Sequence, residues 1–497
     1  MWDTWAISHQ GAAHMFYLQF YGKNSTRRPE DANWLGHAVS TDLLHWSEKP
    51  LAIGPGPDGG LEDMQPWTGC VVAQAGKFYF FYTMRSKSDQ GYGQKIGLAT
   101  SPDLEHWERY PGNPVIVPDD RYYVSYEHPL PKNTVDCRDL VVIPDPKGSG
   151  WLGYFAARVH AGSAPQTAAI GLARSSDLIH WEQLPPAFVP GNISAIEVPD
   201  VYQIDGRWYM TCLTGSRYGN RGFFSDKTVL LGTIYAVAER AEGPFQMIPG
   251  DNVLLGGQSY SGYTCRTMEY EGERLAFYTQ PVPDGPATVS PPMALRAIAG
   301  GRLRLAFSER AKGWRRKTLI PSGGQPEITK LPFSQFYWAL NGGSWSLKDG
   351  VYRGEARAGW QTADLGLGAE NVEFSAAITL HEGSAVGFVF RPNSARADSG
   401  DDHSGDFVFF LDAEKQQAVA AKLPAFDQQH VRECPLETGR LYRLRLCIRR
   451  PRFEVFLDDI LILQGALNWL PAPAPSVGLF VERGRADVRG LELYELG

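Results

Sequence analysis

The first 310 residues repeat one pattern five times, and this repeat constrains the fold more than any other feature. Each copy has a turn followed by an aromatic-rich, partly alternating segment, which is typical of a β-strand. The five segments are GAAHMFYLQ (from Gly11), GKFYFFYT (Gly76), GSGWLGYFAA (Gly148), DGRWYMTCLT (Asp205) and EGERLAFYTQ (Glu271). Repeat units of roughly 60 to 70 residues match a four-stranded propeller blade with long loops. The sequence therefore predicts a five-bladed β-propeller over residues 1–310.

A second segment follows the first three strands and predicts a turn. Residues 36–46, 97–107 and 171–181 each end in Ser-x-Asp-Leu-x-His-Trp. An aspartate in such a segment bonds to nearby backbone N–H groups, and the tryptophan packs between strands. The turns resemble the Asp-box of sialidases only faintly, because they lack its glycines and because six blades are usual there. We predict that these turns are structural.

The repeat fades after residue 310, and a different pattern begins. Residues 311–330 are polar and contain Gly and Pro, which predicts a linker. Residues 331–497 alternate apolar and polar positions between short turns, which favours a C-terminal β-sandwich. The chain is thus predicted to be all-β. The sandwich could bind glycan, form a dimer contact or shield the propeller, and the oligomeric state is left open.

Composition excludes several classes of function. The 497 residues include 48 Lys and Arg against 55 Asp and Glu, a net charge of −7, with no long basic run. A nucleic-acid partner is therefore not expected, and no apolar window predicts a membrane span. The N-terminus lacks a signal-peptide pattern, so we expect a cytoplasmic protein unless a leader was removed.

No cofactor or metal is expected from the sequence. The six cysteines are scattered without zinc-type spacing, so we interpret them as buried structural residues rather than disulfides. The segment 391–406 is rich in Asp and Ser. We interpret it as a solvated loop, with calcium binding as the alternative.

Three acids interrupt the apolar segments that should line the propeller axis. Asp3, Asp139 and Glu197 precede the turn glycines Gly11, Gly150 and Gly206 by 8, 11 and 9 residues. Similar offsets predict that the three carboxyl groups converge at one mouth of the axial cavity. A buried acid–arginine network or an axial metal site is the structural alternative.

Converging carboxyl groups are what glycoside cleavage requires. One acid donates a proton to the leaving oxygen, and another attacks or activates water. Neighbouring negative charges and burial raise the pKa of one group and so divide these roles. Arg138 could keep one partner ionised, although alternation sends adjacent side chains of a regular strand to opposite faces.

These motifs resemble glycoside hydrolase family 32, the group of invertases, inulinases and levanases. The segment WLGHAVSTDLLHW (34–46) is similar to that family's WGHAVS-DL-HW stretch. HMFYLQ (14–19), PWTGC (66–70), CRDL (137–140) and IEVPD (196–200) resemble HLFYQ, W-S-G, F-R-D-P and W-E-C-P-D in the family's order. The resemblance covers roughly residues 1–310 and implies a retaining mechanism with a C-terminal β-sandwich.

The resemblance also implies roles for individual residues. Asp3 would be the nucleophile, Asp139 would stabilise the transition state with the support of Arg138, and Glu197 would be the general acid/base. The substrate would be a small carbohydrate, and the resemblance implies sucrose or a short β-fructan. The residues predicted to bind it are Trp2, Gln19, Trp34, Trp67, Thr68, Arg138 and Tyr263.

Three departures from the family pattern leave two alternatives open. The segment around Asp3 is WDTWA rather than N-D-P-N-G, RDL replaces R-D-P, and Val198 replaces a cysteine. An inverting furanosidase or xylosidase of the family 43 type is one alternative, and carboxyl groups more than about 6.5 Å apart would favour it. The other is a non-catalytic sugar-binding propeller.

Overall fold

The structure is a computed structural model in which almost all regular elements are strands. It describes residues 2–19, 33–160, 166–215, 231–249, 252–257, 264–282, 285–328, 343–381, 383–392, 405–423, 425–466 and 475–497. The helical elements in these ranges are short 3-10 turns at Lys87–Asp89, Pro131–Asn133, Ala299–Gly301 and Glu309–Trp314. No helix in the described part of the chain is long and apolar enough to cross a membrane.

Four separate four-stranded sheets lie in the first half of the chain. Sheet 1 contains β1 (Trp2–His9), β2 (Ala12–Leu18), β3 (Leu35–Ser40) and β4 (Ser47–Glu48). Sheet 2 contains β5 (Trp67–Gln74), β6 (Lys77–Met84), β7 (Lys95–Ser101) and β8 (Glu108–Arg109). Sheet 3 contains β9 (Arg138–Pro144), β10 (Trp151–Arg158), β11 (Ala168–Ser175) and β12 (Glu182–Phe188). Sheet 4 contains β13 (Glu197–Ile204), β14 (Arg207–Thr214), β15 (Leu231–Ala238) and β16 (Val253–Gly257).

The remaining strands are joined in one 17-stranded order. They are β17 (Cys265–Tyr270), β18 (Glu273–Val282), β19 (Gly285–Val289), β20 (Met293–Ile298), β21 (Arg302–Phe307), β22 (Arg315–Ile320), β23 (Gly343–Lys348), β24 (Val351–Leu367), β25 (Val372–Leu380), β26 (Ala385–Arg391), β27 (Phe407–Asp412), β28 (Gln417–Lys422), β29 (Asp427–Glu433), β30 (Leu441–Arg449), β31 (Arg452–Leu457), β32 (Ile460–Ala466) and β33 (Ser476–Leu496). The chain is thus all-β, with a β-propeller arrangement followed by a C-terminal sheet domain.

The hairpin that joins the first two strands of a sheet follows from its turn residues. In sheet 1 the turn pair Gln10–Gly11 has φ values of 49° and 77°. The pairs Ala75–Gly76, Asp205–Gly206 and Glu271–Gly272 repeat this left-handed backbone within 2°. Two-residue hairpins require positive φ at both positions, which glycine adopts without steric cost. The glycines of these four turns therefore set the register of the first hairpin in their units, whereas sheet 3 has a longer turn that ends at Gly150.

Apolar side chains fill the space between neighbouring sheets. Phe16 of sheet 1 packs with Phe80 of sheet 2, with ring centroids 5.0 Å apart. The turn tryptophans contribute as the sequence predicted: Trp107 lies 4.9 Å from Phe80, and Trp181 lies 5.7 Å from Phe81. These contacts hold successive sheets side by side, so that their first strands are brought together.

The prediction of five separate blades is corrected to four separate sheets in the described residues. The chain divides into one compact unit of residues 1–256 and 262–305, and a second of residues 257–261 and 306–497. Strand β21 runs across the limit at residue 305, and its Ala306 pairs with Ile460 of β32. The strands expected for the fifth blade thus belong to the same 17-stranded sheet order as the C-terminal strands, although residues 262–305 lie in the first compact unit.

The C-terminal unit has its own apolar core. Phe374, Phe388, Phe409 and Phe453 lie in one buried cluster. Within the predicted linker 311–330, Arg315–Ile320 form β22, which pairs with β33. The polar residues there lie at the exposed positions of this strand, which is why their sequence resembles a connector. The predicted domain limits at residues 310 and 331 stay predictions, and so does the sandwich arrangement.

Candidate active site

The first strand of each sheet is irregular at its beginning, and this irregularity positions the candidate site. The register shifts between Trp2 and Thr4 in β1, between Trp67 and Cys70 in β5, and between Glu197 and Asp200 in β13. A bulge bends the strand and turns a side chain out of the regular alternation. The backbone is left-handed at Asp3, Asp139 and Val198, with φ of 37°, 59° and 49°.

The same position recurs from unit to unit and brings distant residues to Asp3. Asp3, Thr68, Val198 and Thr264 each lie eight residues before the glycine of their hairpin turn. The hydroxyl of Thr68 donates to Asp3 Oδ2 at 2.7 Å, and the hydroxyl of Thr264 donates to Asp3 Oδ1 at 2.8 Å. The carboxyl group of Asp3 is thus held on both oxygens by residues at equivalent places in the repeat.

Asp3 is a buried acid with a shifted pKa. The residue is 6% exposed. Burial raises its pKa to about 6, and the negative charge of Glu197 adds to this rise, while the bonds from Thr68 and Thr264 oppose it. A carboxyl group of this kind titrates near neutral pH, as acids at catalytic sites commonly do.

Asp139 is more buried than Asp3, and its pKa is raised further. The backbone N–H of Val198 donates to Asp139 Oδ2 at 3.0 Å, and the backbone N–H of Asp139 donates to the hydroxyl of Thr83 at 3.0 Å. Burial raises the pKa of Asp139 to about 8; the guanidinium of Arg138 opposes the rise, and the charges of Glu197 and Asp3 add to it. These mutual effects place the three predicted acids within electrostatic range of one another.

Glu197 is the most open of the three acids and is held by Arg138. Its side chain is 20% exposed, and Arg138 Nη2 donates to its Oε1 at 3.1 Å. The same guanidinium lies 3.5 Å from Asp139 Oδ2 and 3.0 Å from Asp136 Oδ1. Strict alternation would have separated Arg138 from Asp139, but the left-handed backbone at Asp139 brings both side chains to one side. Arg138 therefore links three carboxyl groups.

The other predicted residues have different positions. Gln19 donates from Nε2 to the backbone carbonyl of Trp34 at 3.0 Å, and Trp34 is 37% exposed. Trp67 is half-buried and lies beside Thr68 at the start of β5. The side chain of Trp2 and all of Tyr263 lie outside the described residues. The structure brings together Asp3, Thr68, Arg138, Asp139 and Glu197, while the binding roles of the others stay predictions.

Sequence reasoning missed several residues of this site. Thr264 was detectable, since it has the same eight-residue offset as Asp3 and Thr68. Asp136 could also have been found, because it lies two residues before Arg138. In the structure it pairs with both Arg138 and Arg158. Gln94, whose Oε1 accepts a bond from Arg138 Nη1 at 3.1 Å, comes from a loop that gave no signal.

One group of metal-type ligands occurs in the described part of the chain, away from these acids in sequence. Ligand atoms of Asp120, Glu127 and His128 lie within 4.8 Å of one another. Asp120 already bonds to His128 Nδ1 at 2.9 Å and to the hydroxyl of Ser125 at 2.6 Å. Each oxygen of Asp120 thus accepts one hydrogen bond within this group. The six cysteines are buried and unpaired.

Comparison with known proteins shows which family this chain resembles. Residues 6–248 match the model of the glycosyl hydrolases family 32 N-terminal domain. A levanbiose-producing levanase from Bacillus subtilis (strain 168) is 29% identical over 208 residues, which is 40% of this chain and 34% of the levanase. An acid β-fructofuranosidase from Capsicum annuum is 36% identical over 122 residues, which is 22% of this chain and 17% of the relative.

The alignments thus cover 34% and 17% of these relatives' length. Among solved structures, the sucrose-6-phosphate hydrolase from Lactobacillus gasseri superposes with a TM-score of 0.71 at 14% identity, covering 100% of this chain and 90% of that one. This likeness concerns the fold. The predicted resemblance is confirmed: residues 6–248 match the model of the N-terminal domain of the glycosyl hydrolases of family 32.

Proposed function

We propose that this protein is a glycosidase that cleaves β-fructofuranosides, such as sucrose or short fructans, by a retaining double displacement. The observation that carries the proposal is the coupled group of Asp3, Asp139 and Glu197, linked through Arg138 and through two threonine hydroxyls. Curated relatives named levanase and β-fructofuranosidase support the choice of substrate.

The first chemical step assigns one bond change to each acid. The Asp3 carboxylate attacks the anomeric carbon of the fructosyl unit while Glu197 gives its proton to the leaving oxygen, so the glycosidic bond breaks as the ester bond forms. Thr68 and Thr264 donate to Asp3 and stabilise its ionised form. Because Asp3 would be half protonated near pH 6, this step should slow as the pH falls below that value.

The second step restores the enzyme. Glu197, now ionised, takes a proton from water, and the resulting oxygen nucleophile displaces Asp3 from the sugar. Arg138 donates to Glu197 and holds its carboxyl group in position. Asp139 stays out of the covalent chemistry. With its raised pKa it holds a proton at neutral pH and can donate a hydrogen bond to a sugar hydroxyl.

We also infer that β17, β18 and β20 act as a fifth blade. Tyr270 donates from its hydroxyl to the backbone carbonyl of Gly11 at 3.0 Å, on the side of sheet 1. On the other side, the backbone N–H of Thr267 donates to Asp200 of sheet 4 at 2.7 Å. Contacts with both the first and the fourth sheet support a closed ring of five units. A C-terminal sandwich and a cytoplasmic location remain expectations.

The test is a substrate screen with the wild type and Glu197→Gln. We expect hydrolysis of sucrose, inulin or levan rather than of aryl arabinofuranosides, with the anomeric configuration retained in the first product. Loss of the general acid/base should lower the turnover number by about 10²–10⁴-fold while sugar binding persists. Glu182→Gln, at an exposed position of β12, is the matched control. Unchanged turnover in Glu197→Gln would end the catalytic proposal, and an inverted product would favour the family 43 type of mechanism.

A further inference from the structure

A buried arginine connects the two strands that lie on either side of the strand carrying Asp3. Arg266, the second residue of β17, is 4% exposed. Its Nη2 donates to the backbone carbonyl of Gly69 in β5 at 3.4 Å, across 197 positions of the chain. Strands β17 and β5 both adjoin β1, to which Asp3 belongs. Arg266 therefore reaches from one neighbour of that strand to the other.

The two ends of this bridge lie beside the threonines that bind Asp3. Gly69 follows Thr68, whose hydroxyl donates to Asp3 Oδ2. Arg266 lies two positions after Thr264, whose hydroxyl donates to Asp3 Oδ1. The backbone bonding of β17 to β18 extends to Thr264, so the chain is extended there. Because alternate residues of an extended strand point to the same face, Arg266 and Thr264 share the face that meets Asp3.

The guanidinium of Arg266 is incompletely paired. Its Nη1 is buried and has no hydrogen-bond partner among the residues that the structure describes. Arg138, by contrast, contacts three carboxyl groups. Burying a guanidinium without a partner is costly, and a nearby carboxylate offsets part of that cost. Burial raises the pKa of Asp3 to about 6, and the positive charge of Arg266 is among the influences that oppose this rise.

The other ionisable groups around Arg266 differ from Asp3 in how they respond to pH. Burial raises the pKa of Cys70 to about 12 and that of Cys265 well above its ordinary value, so both thiols are neutral near pH 7. The carboxylate of Asp200 accepts bonds of 2.7 and 2.8 Å from the backbone N–H and the hydroxyl of the residue that follows Arg266. Among these groups, Asp3 is therefore the one whose charge changes near pH 6.

We propose that Arg266 is a positioning residue for the candidate nucleophile: it joins β17 to β5 beside the two threonines and holds Asp3 in its ionised form. This rests on the proposed function, since it concerns how the nucleophile of the same site is prepared. A cation that the scaffold holds in place stabilises an anion without reorganisation of solvent. Arginine suits this place, because its charge persists when it is buried and its planar fork can bind the Gly69 carbonyl with one nitrogen while it presents another.

The kinetic test is the pH profile of kcat/KM on whichever of sucrose, inulin or levan the wild type cleaves. Arg266→Met removes the charge, so the acidic limb should move to higher pH by roughly 0.5–1 pH unit, because the Asp3 carboxylate loses a stabilising cation. At pH 6 this shift lowers kcat/KM about two- to fivefold. Arg266→Lys keeps the charge and should return the limb toward its wild-type position. Arg240→Met removes a charge at an exposed position and should leave the profile unchanged.

A purely structural role predicts a different profile. Activity that falls while the acidic limb keeps its position would overturn the proposal, and so would a limb that moves equally in Arg266→Met and Arg266→Lys. Glu197, Asp139 and Arg138 also carry charge in this site. A second measurement therefore isolates the pair of Arg266 and Asp3.

This measurement is a double-mutant cycle by urea unfolding, which does not depend on activity. Arg266→Met is compared in the wild type and in Asp3→Asn, at pH 8 and at pH 5. At pH 8 Asp3 is ionised in the folded state, so Arg266→Met should lower the urea midpoint more in the wild type than in Asp3→Asn. At pH 5 Asp3 is largely protonated, and this difference should shrink. If Arg266→Met does not fold, as judged by circular dichroism, Arg266→Gln takes its place in both tests.

The two tests separate this inference from the proposed function. A wild type that hydrolyses none of the sugars, but shows the pH-dependent coupling between Arg266 and Asp3, would overturn the proposed function alone. Equal effects of Arg266→Met in both backgrounds at pH 8 would overturn the present inference and leave the proposed function standing.

Discussion

Aspartate recurs at two kinds of place in the propeller sheets, and the two sets behave in opposite ways. At the blade turns, the side chain of Asp103 is 46% exposed and accepts bonds from the backbone N–H groups of Glu105 and His106. At the strand starts, Asp3 and Asp139 are 6% and 3% exposed. The residue type is the same, but the two sets differ in their exposure to solvent and in the groups that donate hydrogen bonds to the carboxylate.

The pKa of each set follows its surroundings. The backbone N–H of His106 contributes most to holding the pKa of Asp103 well below its usual range, and the His106 imidazole adds to this. At Asp139, burial contributes most and raises the pKa to about 8. A turn aspartate is therefore a fixed anion that organises backbone, whereas a strand-start aspartate can gain and lose a proton near neutral pH.

The largest effect that this comparison predicts is on activity, from Asp3→Asn. Loss of the nucleophile should lower kcat by at least about 10³-fold. The folded protein should become more stable near neutral pH, because the unfolded state ionises Asp3 above its usual pKa of 3.8 while the folded state resists until about 6. Kinetics and denaturant unfolding at pH 7 measure both. A variant with near-normal turnover would remove Asp3 from the nucleophile role.

The second prediction concerns the pH dependence of stability between pH 6 and 8. In this window the unfolded state has released the Asp139 proton, while the folded state keeps it up to about pH 8. The folded state binds more protons, so the free energy of unfolding should fall as pH rises, by up to about 1.4 kcal/mol per pH unit.

Asp139→Asn should flatten that slope, as measured by urea unfolding at several pH values. Asp103→Asn is the contrasting variant. Because the folded-state pKa of Asp103 is lowered, its contribution is present above pH 3.8 and is lost only on acidification. A slope that persists unchanged in Asp139→Asn would contradict the raised pKa.

The smallest effect should come from the turns. Asp103→Ala removes two backbone bonds and the contact with His106, so stability should fall by about 0.5–2 kcal/mol, with kcat unchanged. Thermal unfolding and sucrose kinetics provide the two measurements, with Glu182→Ala as an exposed control. A strong loss of activity at normal stability would show that the turn contributes to the site and would break the comparison.

Much of this site could be predicted from spacing, because each hairpin glycine marks the same place in its strand. Asp3 was identified by its position eight residues before the hairpin glycine. Asp139 lies eleven residues before Gly150 because the turn from Asp145 to Gly150 is longer. Glu197 lies nine residues before Gly206, one more than the shared offset of eight. The left-handed residue of that strand is Val198, so Glu197 lies one position earlier, where it reaches Arg138.

Other features depended on contacts between residues that are far apart in the chain. Thr264 binds Asp3 across 261 positions, and although the shared offset places the two at equivalent points of the repeat, it does not predict the hydrogen bond between them. The bulge that lets Arg138 and Asp139 act together departs from the alternation on which strand prediction rests. The number of separate sheets also escaped prediction, because β21 continues into the C-terminal unit and its pairing with β32 joins strands that are distant in the sequence.

The shared position of Asp3, Thr68, Val198 and Thr264 has a consequence for how such a protein diversifies. In four units, the residue at this offset is either an acid of the candidate site or hydrogen-bonds to one. Replacing the side chain at one of these positions would change the chemistry of the candidate site. The strand that carries the residue would keep its place in the sheet. New specificities are then reached through single substitutions rather than through remodelled loops.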